Sequence, residues 1–115
     1  VATVCDDPLE VVSGCAKATA TLMRKQGLNS SDIDLFELHE AFAATSIKCQ
    51  RDLSISDEKL NVNGGCIALG HPMGATGGIM MGTLIDELER RQLKTGIVAA
   101  SGAAGSGTAI LIECL

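Results

Sequence analysis

The chain has 115 residues, and its 14 acidic and 9 basic side chains give a formal net charge of −5 at pH 7. Aromatic residues make up 2% of it, so the positive, base-stacking surface of a nucleic-acid-binding protein is excluded. The hydrophobic fraction of 46% is enough for the core of one domain, which we place at residues 1–115.

The first predicted elements are a strand, a helix and a second strand. Val1 to Val4 is typical of the end of a strand and begins without Met, so we expect a piece of a longer chain whose first strand is clipped. Apolar and small residues recur at helical spacing from Val11 to Met23, and Gly27 is typical of a helix end. Alternation over Ile33–Leu38 predicts the second strand.

Two more helices and two more strands follow. The segment from Glu40 to about Leu53 is helix-like, with Phe42 and Ile47 on or near its apolar stripe. A glycine-rich stretch, residues 61–78, leads into a helix at 77–91. Buried strands are predicted at 96–100 and 108–113, antiparallel to each other across a short turn. This order predicts a layered α/β domain with helices on a largely parallel sheet.

The cysteines indicate the redox environment. There are five, an odd number, and no Cys-x-x-Cys pair occurs. We therefore expect neither a disulfide framework nor a metal site, and reduced thiols favour the cytoplasm or an organelle matrix. No apolar run reaches the length of about 18 residues that a membrane span requires.

His39 is the first candidate site residue. It follows the strand Ile33–Leu38 and opens a strand-to-helix junction with Glu40. Sites in α/β proteins form at the C-terminal ends of strands, which favours a functional role. A helix-start residue satisfied by the backbone is the alternative.

His71 is the second candidate. Glycines surround it, and Pro72 restricts its backbone to extended conformations. A histidine held in this way suits a role that depends on orientation, although a packing loop with a buried histidine is the alternative. The stretch contains neither GxxxxGK[ST] nor GxGxxG, so it is neither a P-loop nor a dinucleotide-binding fingerprint.

The third candidate is Ser101, in a small-residue turn between the last two strands. Backbone N–H groups of such a turn can form an oxyanion hole, and Ser101 is positioned as a nucleophile or proton carrier if a base approaches. A tight hairpin with a serine chosen for its size is the alternative. G-x-S-x-G is absent, so a nucleophile elbow is not supported.

Three segments together carry a family resemblance. Asn63–Gly77 matches NGGxIALGHPxGATG, His39–Ala43 matches HEAFA, and Ser101–Gly107 falls on a closing CxGGGxG segment. In these motifs the chain resembles, over nearly its whole length, the C-terminal half of the thiolases, a family of acyl-CoA acyltransferases. The resemblance implies an α/β, thiolase-like fold: a layered, five-stranded mixed sheet with helices, paired with a similar N-terminal half.

The resemblance also implies roles. His71 would activate a nucleophilic cysteine of the N-terminal half and donate to the thioester oxygen. His39 would help to form an oxyanion hole, with Glu40 in support. Ala103 would offer its backbone N–H there, and Gly70 and Phe42 would line the substrate site.

The implied reaction is thiolysis of 3-ketoacyl-CoA or the reverse Claisen condensation, as in fatty acid metabolism. The substrates are acyl-CoA and coenzyme A, with no covalently bound cofactor, and the parent would be a homo-oligomer, a dimer or tetramer. Ser101 stands at the family's second catalytic cysteine, and a hydroxyl is a poorer base than a thiol of pKa about 8.5. We expect the chain to be inactive alone; a non-catalytic acyl-CoA-binding or subunit-assembly module is the alternative.

Overall fold

A computed structural model of the chain describes residues 1–10 and 12–115, so the helical position predicted at Val11 lies outside the described residues. The predicted order of strands and helices is confirmed, with one short α-helix and one 3₁₀ helix, Met73–Ala75, added inside the glycine-rich stretch. The strands are β1 (Ala2–Cys5), β2 (Leu35–Leu38), β3 (Thr95–Ser101) and β4 (Ser106–Glu113). The helices are α1 (Gly14–Gln26), α2 (Ala43–Leu53), α3 (Cys66–Leu69) and α4 (Thr76–Arg91).

The strands form one mixed sheet in the order β1-β4-β3-β2. Only β2 and β3 are parallel, while β4 runs antiparallel to both β1 and β3. The predicted antiparallel pairing of the last two strands is therefore confirmed, but the prediction of a largely parallel sheet was wrong. A short turn joins β3 to β4, and such a connection allows only an antiparallel pair.

The described residues contribute four strands to the sheet, one fewer than the five predicted. Beyond β2 the sheet gains only a single-residue parallel bridge between Phe36 and Leu60. Asn61 then adopts a φ of 46°, in the left-handed region, which turns the backbone out of the extended conformation. Pairing along this edge stops there for that reason.

The two faces of the sheet pack against different helices. Alternate residues of a strand point to opposite faces, so Phe36 and Leu38 face one layer and Leu35 faces the other. The larger core includes α1 residues and Ile97, Ala99 and Ala109. The smaller core joins Leu35 and Val98 to α4 through Met80, Leu84 and Leu88. The predicted layered α/β architecture is confirmed.

The second predicted helix begins at Ala43 rather than at Glu40. Phe42 has φ −149° and ψ 155°, so the backbone is still extended there. The predicted apolar stripe was wrong at two positions, because Phe42 is 63% exposed and Ile47 is 48% exposed, while Leu53 is buried. Among the described residues, no helix combines the length and apolar character needed to cross a membrane.

Candidate functional site

The parallel strands β2 and β3 end side by side and bring two candidate residues together. The His39 N–H donates to the Ala99 carbonyl at 2.9 Å, which continues the pairing one residue beyond β2. Ser101 is the last residue of β3, and its main chain lies beside the His39 ring. The strand-end placement predicted for His39 is therefore present in the fold.

The His39 imidazole is buried and stays neutral near pH 7. Burial, followed by the nearby His71, lowers its pKa, while the Ser101 main chain and the charge of Glu40 act in the opposite direction. The Ser101 main chain does not form a well-aligned hydrogen bond with the ring. Within residues 1–10 and 12–115, neither Nδ1 nor Nε2 of His39 has a hydrogen-bond partner. The alternative prediction, a helix-start histidine whose side chain is hydrogen-bonded to the backbone, is therefore not what the structure shows.

His71 lies against His39, with ring centroids 4.5 Å apart and ring planes tilted by 42°. Its Nδ1 is 2.8 Å from the hydroxyl of Thr76, the first residue of α4. This hydrogen bond orients the ring and leaves Nε2 available. The residue is exposed, so the expected alternative of a buried histidine was wrong.

Gly70 gives the His71 loop its shape. Its φ is 93° and its ψ is 170°, a conformation that residues with a Cβ rarely adopt. Its N–H donates to the Cys66 carbonyl, so α3 ends there and the chain turns toward His71. The predicted contact between Gly70 and substrate stays a prediction.

Glu40 and Asn61 fasten the glycine-rich loop to the end of β2. Glu40 accepts hydrogen bonds from the Asn61 side-chain amide at 3.0 Å and from the Ile67 N–H at 3.1 Å. Asn61 also accepts from the Leu38 N–H and donates to the Leu38 carbonyl. A Cβ at Gly65 would collide with the Glu40 carboxylate, so a larger residue there would displace this side chain from its hydrogen bonds. Glu40 is thus a positioning residue, and Asn61 is a second one that sequence reasoning missed.

Ser101 directs its hydroxyl toward α1. The Cys15 N–H, in the first turn of α1, donates to Ser101 Oγ at 2.9 Å. α1 reaches this position because its start packs directly on the backbone of β4: a Cβ at Gly107 would lie 2.1 Å from the Gly14 carbonyl oxygen. Ser101 therefore accepts one hydrogen bond from α1, and its hydroxyl lies close enough to the Cys15 thiol to help lower the pKa of that thiol.

The turn between β3 and β4 holds Ala103. The N–H and hydroxyl of Ser106 both donate to the Ala103 carbonyl. No acceptor for the Ala103 N–H occurs among the residues described, and the residue is exposed. A free backbone donor at this turn is what an oxyanion hole requires.

Known sequences resemble the chain over almost its entire length. The family model for the C-terminal domain of thiolase matches residues 1–114. A 3-ketoacyl-CoA thiolase of Aliivibrio salmonicida is 44% identical over 110 residues, which cover 93% of this chain and 28% of the relative. An acetyl-CoA acetyltransferase of Syntrophomonas wolfei is 44% identical over 111 residues, covering 95% and 28%. A peroxisomal 3-ketoacyl-CoA thiolase of Petunia hybrida is 41% identical over 109 residues, covering 93% and 24%.

The chain belongs to the thiolase family. It corresponds to the C-terminal domain and spans about 28% of the length of the bacterial relatives it matches. The resemblance inferred from the three motifs is confirmed. In this thiolase domain, the motifs at His39, His71 and Ser101 lie at neighbouring positions: a strand end, a loop over it, and the end of the adjacent strand.

Two buried groups near this site escaped sequence reasoning. Glu37 is 4% exposed within β2, and burial, reinforced by the negative charge of Glu40, raises its pKa to about 7. The only sequence feature that indicated its burial was its place in an alternating strand.

Cys15 and Cys49 lie with their Sγ atoms 3.4 Å apart. The hydrogen bond from Cys49 lowers the pKa of Cys15 and raises that of Cys49. No sequence spacing indicates a contact between residues on two separate helices.

Proposed function

We propose that this chain is the C-terminal half, residues 1–115, of a two-half thiolase whose active site forms between the halves. The parent would cleave 3-ketoacyl-CoA with coenzyme A, or run the reverse Claisen condensation. The observation that carries this proposal is the contact between the His39 and His71 rings beside the end of β3. An oriented base and a second imidazole lie together at the C-terminal ends of neighbouring strands, which is where the sites of α/β proteins form.

His71 suits the activation of a nucleophile supplied from outside this chain. It is exposed, and the hydrogen bond between Nδ1 and Thr76 leaves Nε2 available to a reacting group. An imidazole in this position can take the proton of a cysteine of the N-terminal half and return a hydrogen bond to the thioester oxygen. Glu40 and Asn61 support this geometry by holding the loop.

His39 and Ala103 suit stabilisation of the negative oxygen in the transition state. A neutral imidazole carries one N–H donor, and that of His39 has no partner within the part of the chain that the structure describes. The Ala103 N–H is likewise unused. We expect these donors to act on enolate or thioester oxygen, directly or through water. Gly70 and the exposed Phe42 would contact the acyl-CoA.

Ser101 is the catalytic position at which this thiolase domain departs from its family's pattern, and Ala103 and Ala104 depart from the glycines that follow it. The hydroxyl can donate a proton but is a weak base near pH 7, so proton transfer at the α-carbon or at coenzyme A is expected to be slow. Its hydrogen bond from Cys15 supports the placement, because a thiol at residue 101 would occupy the same position at the first turn of α1.

Exposed apolar side chains support the proposal that an N-terminal half packs against this chain. Around the site, the exposed large hydrophobic residues are Phe42, Ile67, Leu69, Met73 and Ile79. Apolar groups at this density are typical of a protein interface. We propose that the N-terminal half covers them and that the parent assembles as a homo-oligomer. The isolated chain should then self-associate, and a molecular mass independent of concentration in sedimentation equilibrium would argue against this.

The decisive experiment uses the two-half parent and the variant Ser101→Cys. Restoring a thiol should raise the turnover of acetoacetyl-CoA by about a hundredfold, the lower end of the usual contribution of general acid–base catalysis. Ser106→Cys is the matched control, since Ser106 lies in the same turn and is assigned no proton transfer, and it should not raise turnover. Unchanged turnover in Ser101→Cys would remove Ser101 from the acid/base position.

The isolated 115-residue chain provides a second test. It should show no coenzyme A-dependent cleavage of acetoacetyl-CoA, because the nucleophilic cysteine belongs to the other half. Activity of the purified chain would contradict the two-half site.

The serine at residue 101 also supports a second candidate, a non-catalytic module that binds acyl-CoA or a partner subunit. Calorimetric titration of the parent with acetyl-CoA separates the two. Binding without turnover, in Ser101→Cys as well as in the original protein, would favour the module.

A further inference from the structure

Three side chains with metal-binding chemistry converge at the His39–His71 pair. The third is Cys66, the first residue of α3, and one potential ligand atom from each residue lies within 4.8 Å of the others. The absence of paired cysteines predicted no metal site in this chain. The fold assembles this group from a strand end, a short helix and a loop, which spacing along the chain cannot indicate.

The buried member of the group makes no well-aligned hydrogen bond at either ring nitrogen. His39 is 6% exposed, and both ring nitrogens are without hydrogen bonds across residues 1–10 and 12–115. Buried polar groups are nearly always satisfied, so an unpartnered imidazole aimed at a thiol and a second imidazole points to a ligand. A bound cation would satisfy one of these nitrogens directly.

The surroundings of the group orient it for a cation. Thr76 is buried and bonds His71 Nδ1 at 2.8 Å, which leaves Nε2 as the ligand atom and supplies an outer-shell partner. The Glu40 carboxylate accepts from the Ile67 N–H and so places a negative charge at the first turn of α3, which begins at Cys66. This charge favours a bound cation.

We propose that His39, Cys66 and His71 form a binding site for a zinc-class divalent cation, with the fourth coordination position open. Two imidazoles and one thiolate are a ligand set that zinc accepts, and bonds of about 2.0–2.3 Å require the side chains to close by roughly 1 Å. On binding, the Cys66 thiol releases its proton to solvent and its sulfur forms the bond to the metal. Because His71 is exposed, water or an external thiol takes the fourth position.

The proposal stands independently of the proposed thiolase reaction, because it needs only residues of this chain. Where both hold, the cation occupies His71 Nε2 and Cys66 and therefore inhibits the parent. Failure of metal binding would leave the Ser101→Cys result unaffected, so the two proposals fail separately.

The test is a titration of the reduced 115-residue chain with Co²⁺ as the spectroscopic probe. One equivalent should produce the near-ultraviolet thiolate-to-cobalt charge-transfer band and intense visible bands of tetrahedral cobalt, and Zn²⁺ should displace it. Cys66→Ala should abolish the charge-transfer band and weaken binding by more than a hundredfold. Cys5→Ala, at an exposed cysteine outside the group, is the matched control and should leave both unchanged.

Two further variants keep the test independent of folding. His71→Ala alters an exposed side chain and should also weaken binding, with an unchanged circular dichroism spectrum. Thr76→Val removes only the outer-shell bond and should cost about tenfold in affinity. A charge-transfer band that persists in Cys66→Ala, which would place the metal on another cysteine such as Cys15 or Cys49, overturns the proposal. So does the absence of saturable binding.

Discussion

The glycines at the contact between α1 and β4 and the glycines within α4 have opposite surroundings. On the α1 face, glycines allow backbones to touch: a Cβ at Gly14 would lie 2.1 Å from the Ser106 carbonyl oxygen, and one at Gly107 would lie 2.1 Å from that of Gly14. On the α4 face, a Cβ at Gly77, Gly78 or Gly82 would have nothing within 4 Å. Contacts within this domain explain why Gly14 and Gly107 are glycines. No contact within the described residues explains the glycines of α4.

The difference separates what this domain completes alone from what it leaves open. The α1 contact fixes the first turn of α1 at Ser101, so it builds part of the candidate site. On the α4 face a hollow of about 210 Å³ remains between Gly77, Met81 and strands β3 and β4. Glycine has no side chain, so these positions let a neighbouring segment approach α4 closely. Together with the apolar hollow beside them, they suit packing against another part of a larger protein.

Gly107→Ala should have the largest effect, because its Cβ would collide with backbone rather than with a flexible side chain. We expect a loss of about 3 kcal/mol or more in the free energy of unfolding, measured by urea denaturation. Gly74→Ala is the matched control, since Gly74 is exposed and has nothing within 4 Å. Equal stability of the two variants would mean that α1 does not need this close approach.

Glu37 makes the α4 face sensitive to pH. It lies two residues after Leu35 on the same side of β2, and its pKa is raised to about 7 from an ordinary value of 4.5. A raised pKa in the folded state means that the folded protein binds the proton more tightly. Stability from this group is therefore fully present below pH 4.5 and is lost as the pH rises through about 7.

The variant Glu37→Gln isolates this contribution, because the amide cannot ionise. It should match the original chain near pH 4.5 and exceed it above pH 7, by up to about 3 kcal/mol in the free energy of unfolding. Urea denaturation at a series of pH values gives the difference. A difference that does not change with pH would show that Glu37 ionises normally.

The contrast also marks how far the sequence could predict this structure. The motifs at His39, His71 and Ser101 identified the family and the strand ends, because each is a local pattern. Asn61 could not be predicted, since its hydrogen bonds to Leu38 and Glu40 join positions far apart in the chain. The exposure of Phe42 was missed because helical periodicity indicates an apolar stripe without telling whether this chain or another covers it.

Gly78→Ala should act in opposite directions in two settings. In the isolated chain, Gly78 lies in α4 with free space around its Cα, so alanine should stabilise by about 0.5–1 kcal/mol. In the two-half parent we expect that gain to disappear, because the added methyl group would meet the other half. Thermal denaturation of both proteins measures this, and an equal gain in each would show that the α4 glycines face solvent in the parent too.

Ala104→Gly should have the smallest effect, at a turn where the chain has alanine and a glycine would fit better. Ala104 has a φ of 56°, in the left-handed region, which costs an L-residue about 1–2 kcal/mol. Glycine removes that strain, but it also raises the conformational entropy of the unfolded chain, which destabilises the folded state by about 0.4–1 kcal/mol. The net stabilisation should therefore be roughly 0.5 kcal/mol. Ala103→Gly is the matched control. Its φ is not positive, so it has only the entropic loss and should destabilise. If both variants destabilise equally in urea denaturation, Ala104 carries no strain, and the turn tolerates alanine as readily as the glycine of its family's pattern.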